Sequence, residues 1–352
     1  MGLQRQISVK ERCRINDPCP GRNANHQQNT TGCEGHSMAS IKLATLIVHA
    51  RVLSWLVAVY PAHAQNPNAS VDQQQREGAT NAEGTPVRTD IDKSGYTLFN
   101  PTPDDQLRPF STDRPGKTHS SLTVDAGHFQ LESDFWNYTW DRFSRDRTTT
   151  RAYSVTNPFL KLGVTNWAEI EIQVPTYNRL SVRSRNGAGN LRARGFGDLL
   201  IGGKINLFGN DKGDQALALY PLIKLPTAAR GLGNNMVEYS INVPYTIALP
   251  ARFSVTFEPA VGLLRNLNKQ GYHADYQLLA NLNRPIIGET VTAALEIAAE
   301  FTTDHNIRRR YTIDPSLQWL ITPALQLDVG AYIGLNKDAP DYNPYIGISF
   351  RY

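Results

Sequence analysis

The chain lacks any uninterrupted apolar run of the roughly 20 residues that a membrane-spanning helix needs. Hydrophobic residues make up 40% of its 352 residues, charged residues make up 19%, and the mean hydropathy is −0.40. Taken alone, these values describe a soluble protein. They also fit a transmembrane β-barrel, because only half of each barrel strand faces lipid.

Cysteine is scarce and confined to the first 33 residues, at Cys13, Cys19 and Cys33. A metal or disulfide cluster there is disfavoured, because no matching pair of histidines follows. The preferred interpretation is that residues 1–37 are upstream sequence translated from an early start codon. A mature chain without cysteine would then suit passage through an oxidising periplasm.

Residues 38–64 have the features of a secretory signal peptide. A basic start is followed by the apolar residues 52–59, and Ala62 and Ala64 form a small-x-small cleavage site. We therefore expect export through a cleaved signal peptide and a mature chain that begins at Gln65.

The sequence also lacks the signatures of common catalytic, cofactor and metal sites. No G-x-S-x-G, H-E-x-x-H or C-x-x-C motif occurs. The net charge of +4 comes without a stripe of lysine and arginine interleaved with aromatics. We predict no enzymatic activity, no cofactor, no metal and no nucleic-acid partner. An outer-membrane lipid hydrolase is the enzymatic alternative, and it would need a serine and a histidine facing lipid on adjacent strands.

What the sequence has is a two-residue alternation of apolar and polar side chains that runs for about 225 residues. Between positions 290 and 301, for example, Leu295 and Ile297 alternate with Glu296 and Glu300. Short turns alternate with longer polar connections, as in bacterial outer-membrane barrels. The pattern predicts an all-β fold, a closed antiparallel transmembrane β-barrel of about 12 strands over residues 116–352. A disordered N-terminal leader would precede it, with residues 65–115 as a flexible periplasmic segment.

One connection is rich in arginine. We expect a third strand over residues 166–177 and a fourth over 196–208, joined by an outer loop at 178–195 that contains five arginines. Guanidinium groups suit phosphate, so lipopolysaccharide is a predicted neighbour of this loop. A solvated loop without a dedicated ligand fits the same sequence.

Aromatic residues gather near the ends of the predicted strands, where interfacial girdles lie in such barrels. The candidates are Trp140, Trp167, Tyr177, Tyr239, Tyr311, Trp319 and Tyr352. Strict alternation points Trp167 and Tyr177 inward, against this role.

The predicted inward face is rich in carboxylates. The candidate pore-lining residues are Glu169, Glu171, Asp198, Lys204, Glu238, Glu296, Glu300, Asp314 and Asp328. They line a pore that favours cations or neutral polar solutes, or they pair with lysines of neighbouring strands as lumenal salt bridges. Small inward residues such as Gly347 would leave room in the lumen, unless a loop or residues 65–125 occlude it.

Four short stretches resemble the family of outer-membrane transporters named after the meta pathway of phenol degradation. They are Ser111–Pro115, Gly127–Glu132, Gly197–Leu199 and Leu225–Thr227. The resemblance implies a channel in a Gram-negative outer membrane for passive uptake of small solutes, among them aromatic or hydrophobic compounds. The implied partners are outer-membrane lipid and the barrel-assembly machinery, which would engage the strand that ends at Tyr352. An autotransporter-like translocator and a non-conducting structural barrel are the alternatives.

Overall fold

The computed structural model describes residues 92–142, 144, 147–185, 190–266, 270–305 and 307–352. The predicted signal peptide, its cleavage site at Ala62 and Ala64, and residues 1–37 lie outside this part of the chain. Within the described ranges, no helix has the length and apolarity needed to cross a membrane.

Sixteen β-strands make up one antiparallel sheet. They are β1 (Phe129–Asp141), β2 (Thr148–Val155), β3 (Phe159–Thr165), β4 (Ala168–Gln173), β5 (Tyr177–Ser184), β6 (Asn190–Gly195), β7 (Leu199–Phe208), β8 (Gln215–Leu225), β9 (Glu238–Asn242), β10 (Tyr245–Leu249), β11 (Phe253–Arg265), β12 (Tyr272–Ile287), β13 (Val291–Thr302), β14 (Arg310–Thr322), β15 (Leu325–Gly334) and β16 (Tyr342–Arg351). Two short 3-10 turns, Asp104–Gln106 and Pro250–Arg252, are the helical elements of the described ranges.

The sheet closes into a barrel of twelve wall strands. Eight of these strands are continuous, and four are interrupted once, so that β2 with β3, β4 with β5, β6 with β7 and β9 with β10 each count as one. The first half of β1 pairs with β3 and its second half with β2, which shows that β2 and β3 are two parts of one wall strand. Closure is made by β1 and β16, from Gln130 opposite Arg351 to Trp140 opposite Tyr342. The predicted fold class and strand number are confirmed.

Proline accounts for three of the four interruptions. Pro158 lies between β2 and β3, Pro175 between β4 and β5, and Pro244 between β9 and β10. Proline has no backbone N–H to donate to a neighbouring strand, so it disrupts the hydrogen-bond ladder where it occurs. The ladder of the wall is therefore interrupted at these three prolines.

Burial along the strands is inverted relative to a soluble protein. In β13, Glu296 is 1% exposed, whereas its apolar neighbours Leu295 and Ile297 are 41% and 53% exposed. Exposed apolar side chains and buried charges are the arrangement expected when the outer surface meets hydrocarbon and the polar side chains face a lumen. The described chain is therefore a membrane-spanning barrel.

The two ends of the barrel differ in their connections. Short connections at 166–167, 288–290 and 323–324 lie at one end, and longer ones such as 226–237 lie at the other. In bacterial barrels the short turns face the periplasm and the longer loops face outward. The barrel's first and last strands meet at the short-turn end, where Phe129 and Tyr352 exchange backbone hydrogen bonds of 3.0 and 2.9 Å.

The prediction of an arginine-rich loop at 178–195 is wrong, because most of the described residues there are in strands. Its described residues lie mostly in β5 and β6, which pair with each other as a hairpin, and β5 also pairs with β2 beyond the level at which the wall strands are interrupted. Leu180 and Val182 alternate with the arginines and pack on Ala152 and Leu232 in a small apolar core. Charge led to the expectation of a loop, but the two-residue alternation continues through the charged residues.

The inward orientation predicted for Trp167 and Tyr177 is also wrong. Their exposed fractions are 53% and 43%. Trp167 lies in the connection before β4, and Tyr177 follows the interruption at Pro175, so neither belongs to the alternation counted along β4. Both side chains therefore fit the predicted aromatic girdles better than the sequence suggested.

Candidate transport lumen

Residues 92–128, which we call the lumenal segment, precede the first strand and lie inside the barrel. Their hydrogen bonds reach inward side chains on strands all around the wall, including Glu169 of β4, Glu258 of β11, Glu296 of β13 and Asp328 of β15. A segment that contacts opposite sides of a closed wall at the same time must occupy the lumen.

The innermost part of the lumenal segment presents backbone N–H groups to wall carboxylates. Lys117 and Thr118 donate theirs to Glu296 at 3.0 and 2.8 Å. His119 donates its backbone N–H to Glu258 at 2.6 Å, and its ring Nδ1 lies 2.8 Å from the other oxygen of that carboxylate. Hydrogen bonds to an ionised carboxylate are stronger than neutral ones, so these contacts fix the segment to two sides of the wall.

Asp113 joins two lysines of the wall. Its carboxylate lies 2.5 Å from the Nζ of Lys161 and 3.1 Å from the Nζ of Lys204. Lys161 also pairs with Glu132 at 2.6 Å, and Lys204 pairs with Glu169 at 3.0 Å. Carboxylates outnumber lysines in this cluster, so the lumen keeps an excess of negative charge here.

Arg114 connects the segment to the closing region of the barrel. Its guanidinium lies 2.5 Å from the carboxylate of Asp134 on β1 and 2.7 Å from that of Asp328 on β15. The side chain passes over Gly347 of β16, where an added Cβ would overlap the guanidinium. Glycine at this position therefore makes room for Arg114, and the space expected in the lumen at Gly347 is occupied.

At the periplasmic end, charged residues hold the entry and exit of the segment together. We call Lys93, Arg108, Asp125 and Asp211 the periplasmic ion cluster. Lys93 lies 3.4 Å from Asp125 and 3.1 Å from Asp211, and Arg108 donates a 2.9 Å hydrogen bond to Asp211 in the turn between β7 and β8.

The surroundings of Asp211 stabilise its ionised carboxylate. Partial burial acts to raise the pKa of Asp211, but hydrogen bonds from Arg108 and Asn166 and the nearby positive charges outweigh burial, and the pKa lies below its usual range. The ionised form of Asp211 is therefore the one that binds the segment.

Seven of the nine candidate pore-lining residues are buried, Glu238 and Glu300 are partly exposed, and several of the nine pair within the wall. Lys224 lies 3.1 Å from Asp198 and 3.0 Å from Glu238. Lys204 lies 3.2 Å from Glu171, and Arg310 lies 3.1 Å from Glu300. Such pairs agree with the salt-bridge alternative for these positions.

Other predicted lining residues depend on the lumenal segment. Glu296 and Asp328 receive the contacts from Lys117, Thr118 and Arg114 described above. Asp314 lies opposite Glu296 on the neighbouring strand, and its two carboxylate oxygens have no hydrogen-bond partner among the described residues. The lumen thus combines wall pairs, contacts to the segment, and buried carboxylates such as Asp314 and Glu171 whose two oxygens have no hydrogen-bond partner among the described residues.

The lumenal segment itself differs from the sequence-based expectation. Residues 65–115 were expected to be flexible, and 116–352 to form the barrel. In the described part, residues 92–115 are folded against the wall, and the first strand begins only at Phe129. The motif Ser111–Pro115 was a signal for this, because it places two opposite charges before the barrel in a stretch too short to form a core of its own.

The geometry describes an acid-rich lumen with a separate chain segment inside it. Within the described ranges, no group of three or more histidine, cysteine, aspartate or glutamate side chains is arranged to hold a metal ion. In this structure the lumenal segment lies among the wall carboxylates and obstructs the lumen.

The chain is similar to one protein family by sequence and to several outer-membrane barrels by fold. The family model described as "Putative MetA-pathway of phenol degradation" matches residues 112–352. No curated protein sequence matches the chain.

Solved structures with a similar fold have low sequence identity. The COG4313 outer membrane channel from Pseudomonas putida F1 is 12% identical with a TM-score of 0.49, covering 64% of this chain and 95% of that one. The NanC porin is 10% identical with a TM-score of 0.40, covering 63% and 98%. The transport unit of the autotransporter AIDA-I from Escherichia coli is 9% identical with a TM-score of 0.39, covering 63% and 89%.

Proposed function

The chain belongs to the phenol-degradation family whose model covers residues 112–352, and on that premise we propose that it is an outer-membrane channel. It carries small solutes passively, and the lumenal segment is the part that must move to open it. It needs no cofactor and performs no catalysis.

One observation supports a channel over a permanently sealed barrel. Glu258, Glu296 and Asp328 form hydrogen bonds with the lumenal segment, and among the described residues none of the three pairs with a lysine or arginine of the wall. A barrel sealed for structural reasons needs only charge pairs within its own wall. Here, withdrawal of one segment uncovers a path lined by carboxylates, which favours cations and neutral polar solutes over anions.

A reversible cross-link tests whether the segment controls the lumen. Ser121 of the segment donates a 2.8 Å hydrogen bond to Thr246 of β10, so cysteines at these positions lie close together. We use S121C/T246C in a background in which Cys13, Cys19 and Cys33 are serine. Planar-bilayer conductance should fall under oxidising conditions and return with reductant, whereas T246C alone should not respond.

Two results of that experiment would contradict the proposal. Equal conductance in the oxidised and reduced states would show that the segment does not gate the pore. Absence of conductance steps in both states, across salts and voltages, would favour the non-conducting structural barrel.

Because the family is described by a pathway of phenol degradation, we propose that the solutes include aromatic or hydrophobic compounds. Liposome swelling with aromatic acids, sugars and amino acids of matched size compares them directly. Faster entry of the aromatic acids supports this substrate class. Equal rates for aromatic acids and sugars would reject it and leave the channel proposal intact.

The proposed setting is a Gram-negative outer membrane, reached through a cleaved signal peptide ending at Ala64. Lipopolysaccharide surrounds the outer half of the barrel, and the barrel-assembly machinery engages the C-terminal strand that ends at Tyr352. An autotransporter-like role would need a passenger helix in the lumen, where residues 92–128 are found instead.

A further inference from the structure

A strongly charged surface lies outside the lumen, on β2 and the neighbouring hairpin of β5 and β6. Its members share one face of the three-stranded sheet of β2, β5 and β6. We call this the arginine face, and it consists of Arg151, Arg179, Arg183, Arg192 and Arg194.

The strand register places these arginines around one small residue. Ser181 lies between Arg151 on β2 and Arg192 on β6 in the same cross-strand row. Arg179 and Arg183 are two positions before and after Ser181 on its own strand, so their side chains project from the same face. Four guanidinium groups therefore surround Ser181.

The arginine face points away from the lumen. Arg151 is opposite Trp140, which is opposite Tyr342 on the outer surface of the barrel. The other face of the sheet is occupied, because Leu180 and Val182 pack into the apolar core beneath it. The five arginines thus lie on the lipid-side surface of the protein.

This arrangement is electrostatically costly in the protein alone. Arg179 and Arg194 are directly opposite each other in the β5–β6 pair, and like charges in that position destabilise a sheet. Among the described residues no carboxylate forms an ion pair with any of the five. In contrast, the exposed Arg308 pairs with Asp338 at 3.3 Å. An external anion would offset the repulsion.

The face also contains space for a ligand. Two adjoining cavities of about 920 and 340 Å³ open on it, and both are lined by Arg151, Ser181 and Arg192. Tyr138 and Tyr153 line the larger cavity, and Trp140 lines the smaller one. Arginine forks beside aromatic rings can hold a phosphate and cover the apolar part of the same molecule.

The position of the arginine face relative to the membrane favours a lipid headgroup as its phosphate-bearing ligand. Trp136, Tyr138 and Trp140 follow one another on the outer surface of β1 toward its outer end, and aromatic residues of this kind mark the membrane interface. The arginine face continues sideways and outward from Trp140. It therefore lies at the level of the headgroups of the outer leaflet.

We propose that the arginine face binds the phosphate groups of lipid A, with Ser181 as the floor of the site. This goes beyond the proposed channel function and does not depend on it. Phosphate accepts paired hydrogen bonds from guanidinium groups, and the acyl chains of the same molecule can extend along the aromatic and apolar wall below.

The test measures binding of diphosphoryl lipid A to the full-length protein in detergent micelles, by titration and by native mass spectrometry. The parent protein is compared with its variants. The variants are R151Q/R192Q and R151K/R192K, and R308Q is the matched control because Arg308 is exposed but already ion-paired. We expect at least a tenfold loss of affinity for the glutamine variant, partial retention for the lysine variant, and no change for R308Q. Heat-modifiable migration on gels verifies that each variant is folded.

Three results would overturn the proposal. They are equal lipid A binding by R151Q/R192Q and the parent protein, equal binding of dephosphorylated lipid A, and full displacement of lipid A by inorganic phosphate at micromolar concentration. The last result would identify a site for free phosphate in place of a lipid headgroup. A normal conductance in R151Q/R192Q together with weakened lipid binding supports the proposal and separates it from the channel function.

Discussion

The guanidinium of Arg114 donates two hydrogen bonds, of 3.0 and 2.7 Å, to the two carboxylate oxygens of Asp328. This paired contact links the segment before the first strand to β15, 214 positions later in the chain. Paired arginine–carboxylate contacts are among the stronger hydrogen bonds in proteins, and they also fix geometry.

The first prediction concerns this contact. Asp328→Asn removes the negative charge opposite Arg114 and should raise the open probability of the channel at least tenfold. Arg114 keeps its contact with Asp134, so the loss is smaller than the about 3–5 kcal/mol that removing the sole partner of a buried charge costs. The loss falls on the closed state because Arg114 can leave the lumen with the segment. Single-channel recording in planar bilayers measures the change.

Arg252→Gln is the control for the first prediction. Arg252 pairs with Glu289 between two periplasmic turns, where both side chains are exposed, and exposed pairs contribute about 0–1 kcal/mol. Its open probability should match that of the parent protein. An unchanged open probability in Asp328→Asn would mean that this contact does not hold the closed state.

The second prediction concerns the glycine beneath Arg114. Gly347→Ala places a methyl group where the guanidinium lies, so Arg114 must move away from Asp328 and the open probability should rise. Gly95→Ala is the matched control, because an added Cβ at Gly95 has nothing within 4 Å. Equal conductance traces from the two variants would contradict the close fit of Arg114 against β16.

The third prediction concerns the loss of the Asp211 contacts at low pH. Because contacts in the folded protein lower the pKa of Asp211, the contribution of Asp211 to holding the segment is present above the pKa of an unperturbed aspartate, about 3.9. It is lost as the pH falls through the lower pKa of the folded state. Acidifying the periplasmic side below about pH 4 should therefore lower the protection factor of the Arg108 backbone N–H, which is its intrinsic exchange rate at that pH divided by the observed rate.

A variant separates this effect from general acid sensitivity. Asp211→Asn should show a lower protection factor at Arg108 already at neutral pH and a smaller further decrease in acid. If the parent protein and Asp211→Asn have the same exchange profile over this range, Asp211 does not anchor the segment.

The fourth prediction concerns closure of the barrel. Tyr352 exchanges backbone hydrogen bonds with Phe129, and the two rings are 5.2 Å apart. Tyr352→Ala should lower the yield of heat-modifiable, folded barrel in outer membranes, whereas Tyr352→Phe should keep it, because the ring contact and not the hydroxyl is needed. A normal yield for Tyr352→Ala would show that the terminal ring has no part in assembly.

The sequence predicts the barrel well because alternation is a local property. In β13, the order of Leu295, Glu296 and Ile297 is enough to assign which side chains face lipid and which face the lumen. The same rule fails across Pro175, where the strand is interrupted and the count of alternate positions starts again at Tyr177. Local periodicity does not show at which residue the alternation of inward and outward side chains resumes after such an interruption.

For the contents of the lumen, the sequence gives occlusion by residues 65–125 as an alternative but does not decide whether it occurs. The charges of Asp113, Arg114 and Lys117 have no periodicity, and their partners are distant in sequence. A polar segment before a barrel looks the same whether it is free or bound to the wall. Only the spatial positions of Lys161, Asp328 and Glu296 show that this one is bound.

The lumenal segment has a consequence for the order in which the protein is made. It is synthesised before any strand, yet its contact partners extend from β1 to β15, and loops as long as the 214 positions between Arg114 and Asp328 are slow to close. The first part of this domain to leave the ribosome therefore gains its contact with β15 only after nearly the whole wall has been made. Until β15 is in place, Arg114 lacks this partner, so the segment cannot complete its docking before the wall is almost complete.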